Sequence, residues 1–358
     1  MTDVMIMAGG TGGHVFPGLA VAQYLRDQGA SVVWMGTAKG IESRVVPAAG
    51  FDLELIPIQG LRGKGVMGWV LLPMRVLSAM IQALKILLRR KPSVVLALGG
   101  FVAGPGALVA WLLRKPLVVH EQNAIPGLTN RLLSMIARRV LCGFPDAFSG
   151  TPGSRHVGNP VRQDIAAIQP PEQRMASHSG ALHLLVIGGS QGASALNRIL
   201  PKALAGIAPD QCPDVWHQCG PRWLDEARSA YSQSAANIRV TAFIDDMKAA
   251  YEWADVVLCR AGAMTIAELS AAGVASILVP FPFAADDHQT ANAEFLATRN
   301  AAILVPEPDL TVQRMQELLM ELSAHRDVVL NMAVNARACA IPDATETVAQ
   351  VCLELANA

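Results

Sequence analysis

The stretch Met7-Ala-Gly-Gly-Thr-Gly-Gly-His-Val-Phe-Pro17 constrains the chain most. An apolar run, Val4 to Met7, leads into it, and Leu19, Ala20, Val21, Ala22 and Leu25 recur at helical spacing beyond it. That is the outline of a buried strand, a glycine-rich turn and a helix. Four glycines among five residues let backbone N–H groups come close to a ligand, and a helix start adds partial positive charge. Such a turn suits a diphosphate or another anion. His14 is the side chain there that titrates near neutrality, with an ordinary pKa of about 6.5. The same residues also fit a plain strand–helix turn with a histidine facing solvent. Two better-known phosphate turns are excluded by spacing. The NTPase loop ends in Gly-Lys-Ser/Thr, whereas this one ends Gly13-His14-Val15. The dinucleotide fingerprint would need glycine where Val15 stands, and no acid closes the second strand, Ser31 to Met35, to hold a ribose.

The opening pattern returns in the second half. Leu182 to Ile187 is an apolar run, followed by Gly188-Gly189-Ser190-Gln191-Gly192-Ala193-Ser194 and a helix from Leu196. Between the two lies Gly158-Asn159-Pro160-Val161-Arg162 and a polar, proline-marked stretch through Gly180, which reads as a boundary. Two doubly wound domains are therefore expected, 1–160 and 161–341, facing each other across a cleft that both glycine turns would line. In the first, Ser31–Met35, Leu53–Ile56, Val94–Leu98, Leu117–Val119 and Val140–Cys142 read as buried strands of a parallel sheet. In the second, Ile238–Ala242, Val256–Cys259 and Ala275–Val279 do the same. Helices are expected over Val76–Leu88, Ala107–Leu113, Thr311–Leu322 and Ala344–Leu355. Val94 to Leu113 is uncharged and about long enough to span a bilayer, but Gly99-Gly100 and Gly104-Pro105-Gly106 break it into strand, turn and helix.

Charge separates the halves. Residues 1–160 hold 16 Lys and Arg against 7 Asp and Glu, and the remainder hold 13 against 22. A basic half points to an anionic partner. Nucleic acid is disfavoured, since aromatics make up 5% of the chain and no basic–aromatic run occurs. From Leu61 to Lys91 there are seven basic residues, no acid, and apolar side chains including Trp69-Val70-Leu71-Leu72. That pattern fits a peripheral membrane helix, or else an amphipathic helix whose apolar face is core. The six cysteines have no metal-type spacing and read as buried thiols of a reducing compartment, and a secretory signal is not expected from the strand-like opening.

Taken in order, several motifs resemble one family closely. They are Gly9 to Pro17, Gly99-Gly100-Phe101, His120-Glu121-Gln122-Asn123, Gly158 to Arg162, Gly188 to Ala193, Phe243-Ile244-Asp245-Asp246-Met247, Arg260 to Glu268, and Asp286 to Asn292. Together they resemble the MurG family of bacterial N-acetylglucosaminyltransferases of peptidoglycan synthesis. The resemblance implies a GT-B fold of two Rossmann-like domains, with the last helix, 342–358, packing back on the first. It implies UDP-N-acetylglucosamine (UDP-GlcNAc) as donor, held by the second domain. The acceptor would be undecaprenyl-diphospho-MurNAc-pentapeptide, met by the first domain at the cytoplasmic face of the inner membrane, against anionic lipid.

By motif position, Ser190, Gln191 and Gly192 would hold the diphosphate. Arg162 and the Ile244 backbone would meet the nucleoside, and Glu268 would accept from the ribose. Ala263, Met264 and Thr265 would offer amides to the phosphates, while Gln289, Asn292 and Asn123 would read sugar hydroxyls. Thr11, Gly12 and Gly13 would close over donor and acceptor. His288 stands where the family often has an amide. The resemblance makes His14 the candidate base, with Glu121 the other contender on the acceptor side. It implies no cofactor, and the sequence has no D-x-D motif of the metal-dependent glycosyltransferases. The competing expectations are a UDP-GlcNAc 2-epimerase, for which the basic-apolar stretch would be idle, and a non-catalytic, membrane-docked nucleotide-sugar binder.

Overall fold

The computed structural model describes residues 3–57, 72–189, 191–232, 234 and 236–358. The chain divides into two compact units, one of Met1–Arg162 with Ile341–Ala358 and the other of Gln163–Ala340. The first unit therefore extends through Arg162, which the sequence boundary assigned to the second domain.

The strands of the first unit are β1 (Asp3–Ala8), β2 (Ser31–Gly36), β3 (Asp52–Leu55), β4 (Val94–Gly99), β5 (Leu117–Glu121), β6 (Arg139–Cys142) and β7 (Ser154–His156). They form one parallel sheet in the order β3-β2-β1-β4-β5-β6-β7. Its helices are α1 (Gly12–Asp27), α2 (Glu42–Ala48), α3 (Leu72–Arg90), α4 (Ala103–Leu112), α5 (Leu128–Ser134) and a last one, Ala344–Ala356. Successive strand residues point to opposite faces, so Val4, Ile6, Leu96 and Leu98 pack under α1 and the last helix. Met5, Met7, Val95 and Ala97 pack under α3 and α4. Val94 to Leu98 is buried throughout because both faces are covered.

Helix α4 starts four residues before the expected Ala107. Gly104 and Pro105 fall in its first turn, where a missing N–H costs nothing. Gly106 lies so close to the sheet that a Cβ would stand 2.7 Å from Met7 Sδ. Helix α3 is longer than expected and apolar on two sides. Ala79, Ala83, Ile86 and Leu87 are core, while Met74, Leu77, Ile81, Leu84 and Leu88 form an exposed stripe at spacings of three and four. Arg89 and Arg90 are ion-paired to Glu54 and Asp52 on β3 and at its start. The Trp69–Leu71 part of the expected membrane segment lies outside the described residues. No helix among the described residues is long and apolar enough to cross a membrane.

The second unit repeats the design. Its strands are β8 (His183–Ile187), β9 (Asp214–Gln218), β10 (Ile238–Thr241), β11 (Val256–Cys259), β12 (Ala275–Leu278) and β13 (Ala302–Leu304). They make a parallel sheet ordered β10-β9-β8-β11-β12-β13. Short helices α6 (Gln163–Ala166) and α7 (Pro171–Met175) open the unit. Then come α8 (Ser194–Leu204), α9 (Leu224–Ala230), α10 (Met247–Trp253), α11 (Ala263–Ala272), α12 (His288–Ala297), α13 (Val312–Ala324) and α14 (Arg326–Ala338). The first unit's last helix is α15. Strands β7, β9 and β13 and helix α14 were not foreseen. Thr311 caps α13, its Oγ1 accepting from Arg314 N at 3.1 Å.

In both sheets the strand order reverses at one point, between β1 and β4 and between β8 and β11. Ligands of open parallel sheets bind beyond the strand ends at that point. Each strand of both pairs runs into a glycine-bearing turn: Gly9–Gly13, Gly99-Gly100, Gly188–Gly192 and Arg260–Gly262.

Buried polar side chains fix the neighbouring loops. His120 is fully buried, with Nε2 2.9 Å from Gly158 O and Nδ1 3.1 Å from Gln122 Nε2. His217 is fully buried between Tyr231 Oη (2.7 Å from Nδ1) and Asn197 Oδ1 (3.0 Å from Nε2), and Asn197 Nδ2 donates to Cys219 O. Arg174 donates to Ala272 O and Gly273 O at 2.6 and 2.7 Å, so a cation closes the C-terminal end of α11. His178, His183 and Asp255 bring three potential metal ligands within 4.8 Å of one another. The Asp255 carboxylate, however, already accepts from His178 Nδ1, His183 N and Arg326 Nη2, which makes this an ion-pair cluster. The six cysteines are unbridged, five buried and Cys339 half-buried.

Burial lowers the pKa of both His120 and His217 to about 4. Unfolded imidazole titrates near 6.5, so the unfolded chain takes up protons first as pH falls. Stability is thus expected to drop between about pH 6.5 and 4, by about 2 kcal/mol per histidine at pH 5. Urea unfolding at pH 7.5 and pH 5 checks this; equal midpoints would mean the folded imidazoles are readily protonated.

Candidate active site

In the first unit, helix α1 opens directly from the glycine turn. Thr11 is its N-cap in extended conformation without a side-chain cap bond, and no acid lies in the first turn. The amides of Gly12 and Gly13 therefore start the helix without a side chain to satisfy them. His14 stands in that first turn, half-buried, its N–H on Thr11 O. Gly99, at φ +112°, makes room for the ring: a Cβ there would lie 3.0 Å from His14 Nε2 and 3.3 Å from Asn130 Nδ2. Gly100 in turn lies on the Gly9 carbonyl, closer than any Cβ could.

Asn130 reaches the end of β5, where Glu121 lies. Its Nδ2 donates to Glu121 Oε2 at 2.9 Å, and Gly127 N donates to the same oxygen at 3.1 Å. Glu121 Oε1 accepts from Asn123 N at 2.9 Å and Asn123 Nδ2 at 3.0 Å. Four donors thus surround a carboxylate that is 1% exposed. Its acceptor capacity is filled, which suits an organiser of the 122–127 loop better than a proton acceptor. Glu121, Asn123 and Asn130 are hydrogen-bonded together, and the His14 ring and the Asn130 amide both lie beside Gly99. Arg162 is half-buried at the end of this unit, where Thr345 Oγ1 of α15 donates to the neighbouring Val161 O.

In the second unit, Gly188 and Gly192 lie tightly against the loop after β9. Gly192 lies against Cys219 O, and a Cβ at Gly220 would stand 2.6 Å from Gly192 N. Gln218 Nε2 donates to Gly189 O (2.9 Å) and Ala242 O (3.1 Å), tying this turn to the segment that carries Ile244. The Ile244 side chain is buried, leaving its backbone as the group to meet a base. Asp246 of the same motif caps α10, accepting from Ala249 N at 2.9 Å. Ser190 lies outside the described residues; Gln191 and Gly192 are at the turn.

Helix α11 has Gly262 as N-cap, no side-chain cap and no first-turn acid, so Ala263, Met264 and Thr265 form a second anion-friendly helix start. Glu268 is the sixth residue of α11, past the first turn, so complementing the helix dipole does not explain it. Its Oε2 accepts from the buried Tyr251 hydroxyl at 2.9 Å, which orients the carboxylate. Gln289 Oε1 accepts from Phe281 N at 2.9 Å, leaving its amide nitrogen as the donor end. His288 begins α12. Asp286 and Asp287 before it are both left-handed, at φ 51° and 52°, and Asp287 accepts from Thr290 Oγ1 without a side-chain bond to the helix backbone. Asn292 is fully buried, with Nδ2 donating to Ala261 O at 3.2 Å, so it braces the Arg260–Gly262 turn. Arg260 braces the same region through Val279 O, Pro280 O and Glu307.

Gln218, Tyr251 and Asn130 were not singled out from sequence. The polar pair His217-Gln218 at the end of an otherwise apolar strand was the available signal for the first.

Residues 4–142 match the glycosyltransferase family 28 N-terminal domain and residues 183–348 its C-terminal domain. A relative in Alkalilimnicola ehrlichii is 53% identical over 354 residues, covering 99% of each chain. One in Nitrosococcus oceani is 51% identical with the same coverage. Both are UDP-N-acetylglucosamine–N-acetylmuramyl-(pentapeptide) pyrophosphoryl-undecaprenol N-acetylglucosamine transferases. The crystal structure of Acinetobacter baumannii MurG superposes with a TM-score of 0.84 at 39% identity, covering 99% of this chain and all of that one. A UDP-GlcNAc 2-epimerase of Neisseria meningitidis reaches 0.69 at 13% identity over 99% of this chain and all of its own, a likeness of fold alone. With two parallel-sheet units of the GT-B class and this identity along its whole length, the chain belongs to the MurG family within glycosyltransferase family 28.

Proposed function

We propose that this chain transfers N-acetylglucosamine from UDP-GlcNAc to the C4 hydroxyl of undecaprenyl-diphospho-MurNAc-pentapeptide, forming a β-1,4 link with inversion. The observation that carries the reading is the identity of half of all residues with transferases of that activity along the full chain. The two uncapped, acid-free helix starts at the sheets' reversal points are its physical support. The second unit holds the donor. The Gly188–Gly192 and Ala263–Thr265 amides take the diphosphate, Glu268 takes the ribose hydroxyls, and Gln289 donates to the sugar. The first unit holds the acceptor. As the acceptor oxygen bonds to the anomeric carbon and the carbon–phosphate oxygen bond breaks, the hydroxyl proton passes to His14 and the leaving UDP gathers charge against those amides.

Membrane attachment, on the cytoplasmic face, runs through the first unit. The exposed stripe Met74, Leu77, Ile81, Leu84 and Leu88 is flanked by Arg75 and Lys85, and α5 with its C-cap adds exposed Leu128, Leu132 and Met135 beside Arg131.

Labelled N-acetylglucosamine offered as UDP-GlcNAc, with the lipid-linked acceptor and EDTA, is expected to yield labelled lipid disaccharide. Nucleotide-sugar binding without product would reject the activity. His14→Ala is expected to lower kcat by about 10²- to 10⁴-fold while donor affinity holds, as loss of a general base does. Glu121→Gln should cost far less in kcat and show mainly in acceptor KM; a kcat loss as deep as that of His14→Ala would make Glu121 the base instead. Leu77→Glu with Ile81→Glu is expected to abolish flotation with anionic phospholipid vesicles, and unchanged flotation would move the membrane face elsewhere.

A further inference from the structure

Glu42, the first residue of α2, is completely buried although its side chain is an acid. Its Oε2 accepts from Gly10 N at 3.0 Å, and its Oε1 accepts from Thr37 N at 2.9 Å and Thr37 Oγ1 at 2.7 Å. Those donors come from two different strand-end turns, after β1 and after β2. Three glycines make the space. A Cβ at Gly9 would stand 2.5 Å from Oε1, one at Gly36 2.7 Å from Cγ, and one at Gly40 would overlap the carboxylate. Burying a carboxylate is costly unless its oxygens are well supplied with donors. Here a cradle of missing side chains and three neutral donors serve one anion.

The placement explains the arrangement. Gly10, at φ +96°, is the pivot of the turn, and no Cβ at Gly10 would touch anything within 4 Å, so packing does not fix it from its own side. Glu42 fixes it through the backbone N–H. Because Gly10 N is engaged there, an anion at this turn meets the amides that follow it, Gly12 and Gly13, directly ahead of His14. We infer that Glu42 is a positioning residue of the transfer reaction: it anchors the glycine turn from below, and so sets where α1 begins and where His14 stands. The inference rests on the proposed activity for its kinetic consequence, but the anchoring itself does not.

Glu42→Gln tests it. Glutamine keeps the shape and can still accept from Thr37, but it then turns an NH2 towards the Gly10 N–H, two donors face to face. Hydrogen exchange of the peptides spanning Ile6–Phe16 should become faster, with the second unit unchanged and UDP affinity within about twofold of wild type. kcat should fall by about 10- to 100-fold at unchanged KM for UDP-GlcNAc, the signature of a misplaced reacting group. Thr37→Val, which removes one donor and leaves the Gly10 contact, should cost only a few-fold in kcat. Unchanged exchange in the turn, or a kcat within about twofold of wild type, overturns the assignment. A Glu42→Gln loss of kcat that disappears on cooling together with a lowered Tm assigns Glu42 to general stability and overturns it too. Should Glu42→Gln fail to fold, Thr37→Val decides: wild-type exchange and turnover in that variant overturn the assignment. If wild-type protein transfers no sugar, the proposed activity fails, and the exchange measurement still decides the anchor.

Discussion

Backbone can lie on backbone only where no Cβ intervenes, and both units are arranged around that limit. An all-parallel sheet delivers its loops to one edge, and at the reversal points two loops from neighbouring strands must share the space above it. Gly100 rests on the Gly9 carbonyl, Gly192 rests on the Cys219 carbonyl, and Gly99 yields its side-chain volume to the His14 ring. Glycine brings these segments close but does not hold them, because its conformational freedom is the largest of any residue. The holding is done by buried polar side chains that reach across from elsewhere. Glu42 and Glu121 do this in the first unit, and Gln218, Asn197 and Arg260 in the second. The first two accept from loop amides. The second three mainly donate to loop carbonyls.

The two units share a strand order and differ in what they put at its reversal point. The first presents a titratable ring in its glycine turn and a saturated carboxylate at the end of β5, in a half of the chain with excess positive charge. The second presents helix starts and a carboxylate oriented by a buried tyrosine. One arrangement can move a proton and tolerate an anionic partner. The other is suited to an anion by its helix starts and to hydroxyl donors by its acid.

Much of this was legible in the chain. Strands β1, β4, β8, β11 and β12 are apolar runs ending in glycine or proline signals, and the residues found there are the residues expected. Strand β9 was missed because His217 and Gln218 interrupt its apolar pattern, and their partners Tyr231, Asn197, Gly189 and Ala242 lie well away in sequence. The start of α4 was placed late because Gly104-Pro105-Gly106 looks like a turn; proline in a first turn and glycine against a methionine are both compatible with helix. The glycine turns and Glu268 were visible as local motifs. Glu42 was not, since the amide it holds is 32 residues earlier.

Helix α15 fills the first unit's core with Val348, Ala349, Val351 and Cys352, against strand residues from the opening of the chain. The second unit is one uninterrupted segment, while the first is sewn together from both ends. During synthesis the second unit therefore has all its residues before the first does. Most of the first unit leaves the ribosome early but keeps an open apolar surface on its sheet until α15 arrives. Its basic surface and exposed stripe are thus presented on a body that becomes complete last.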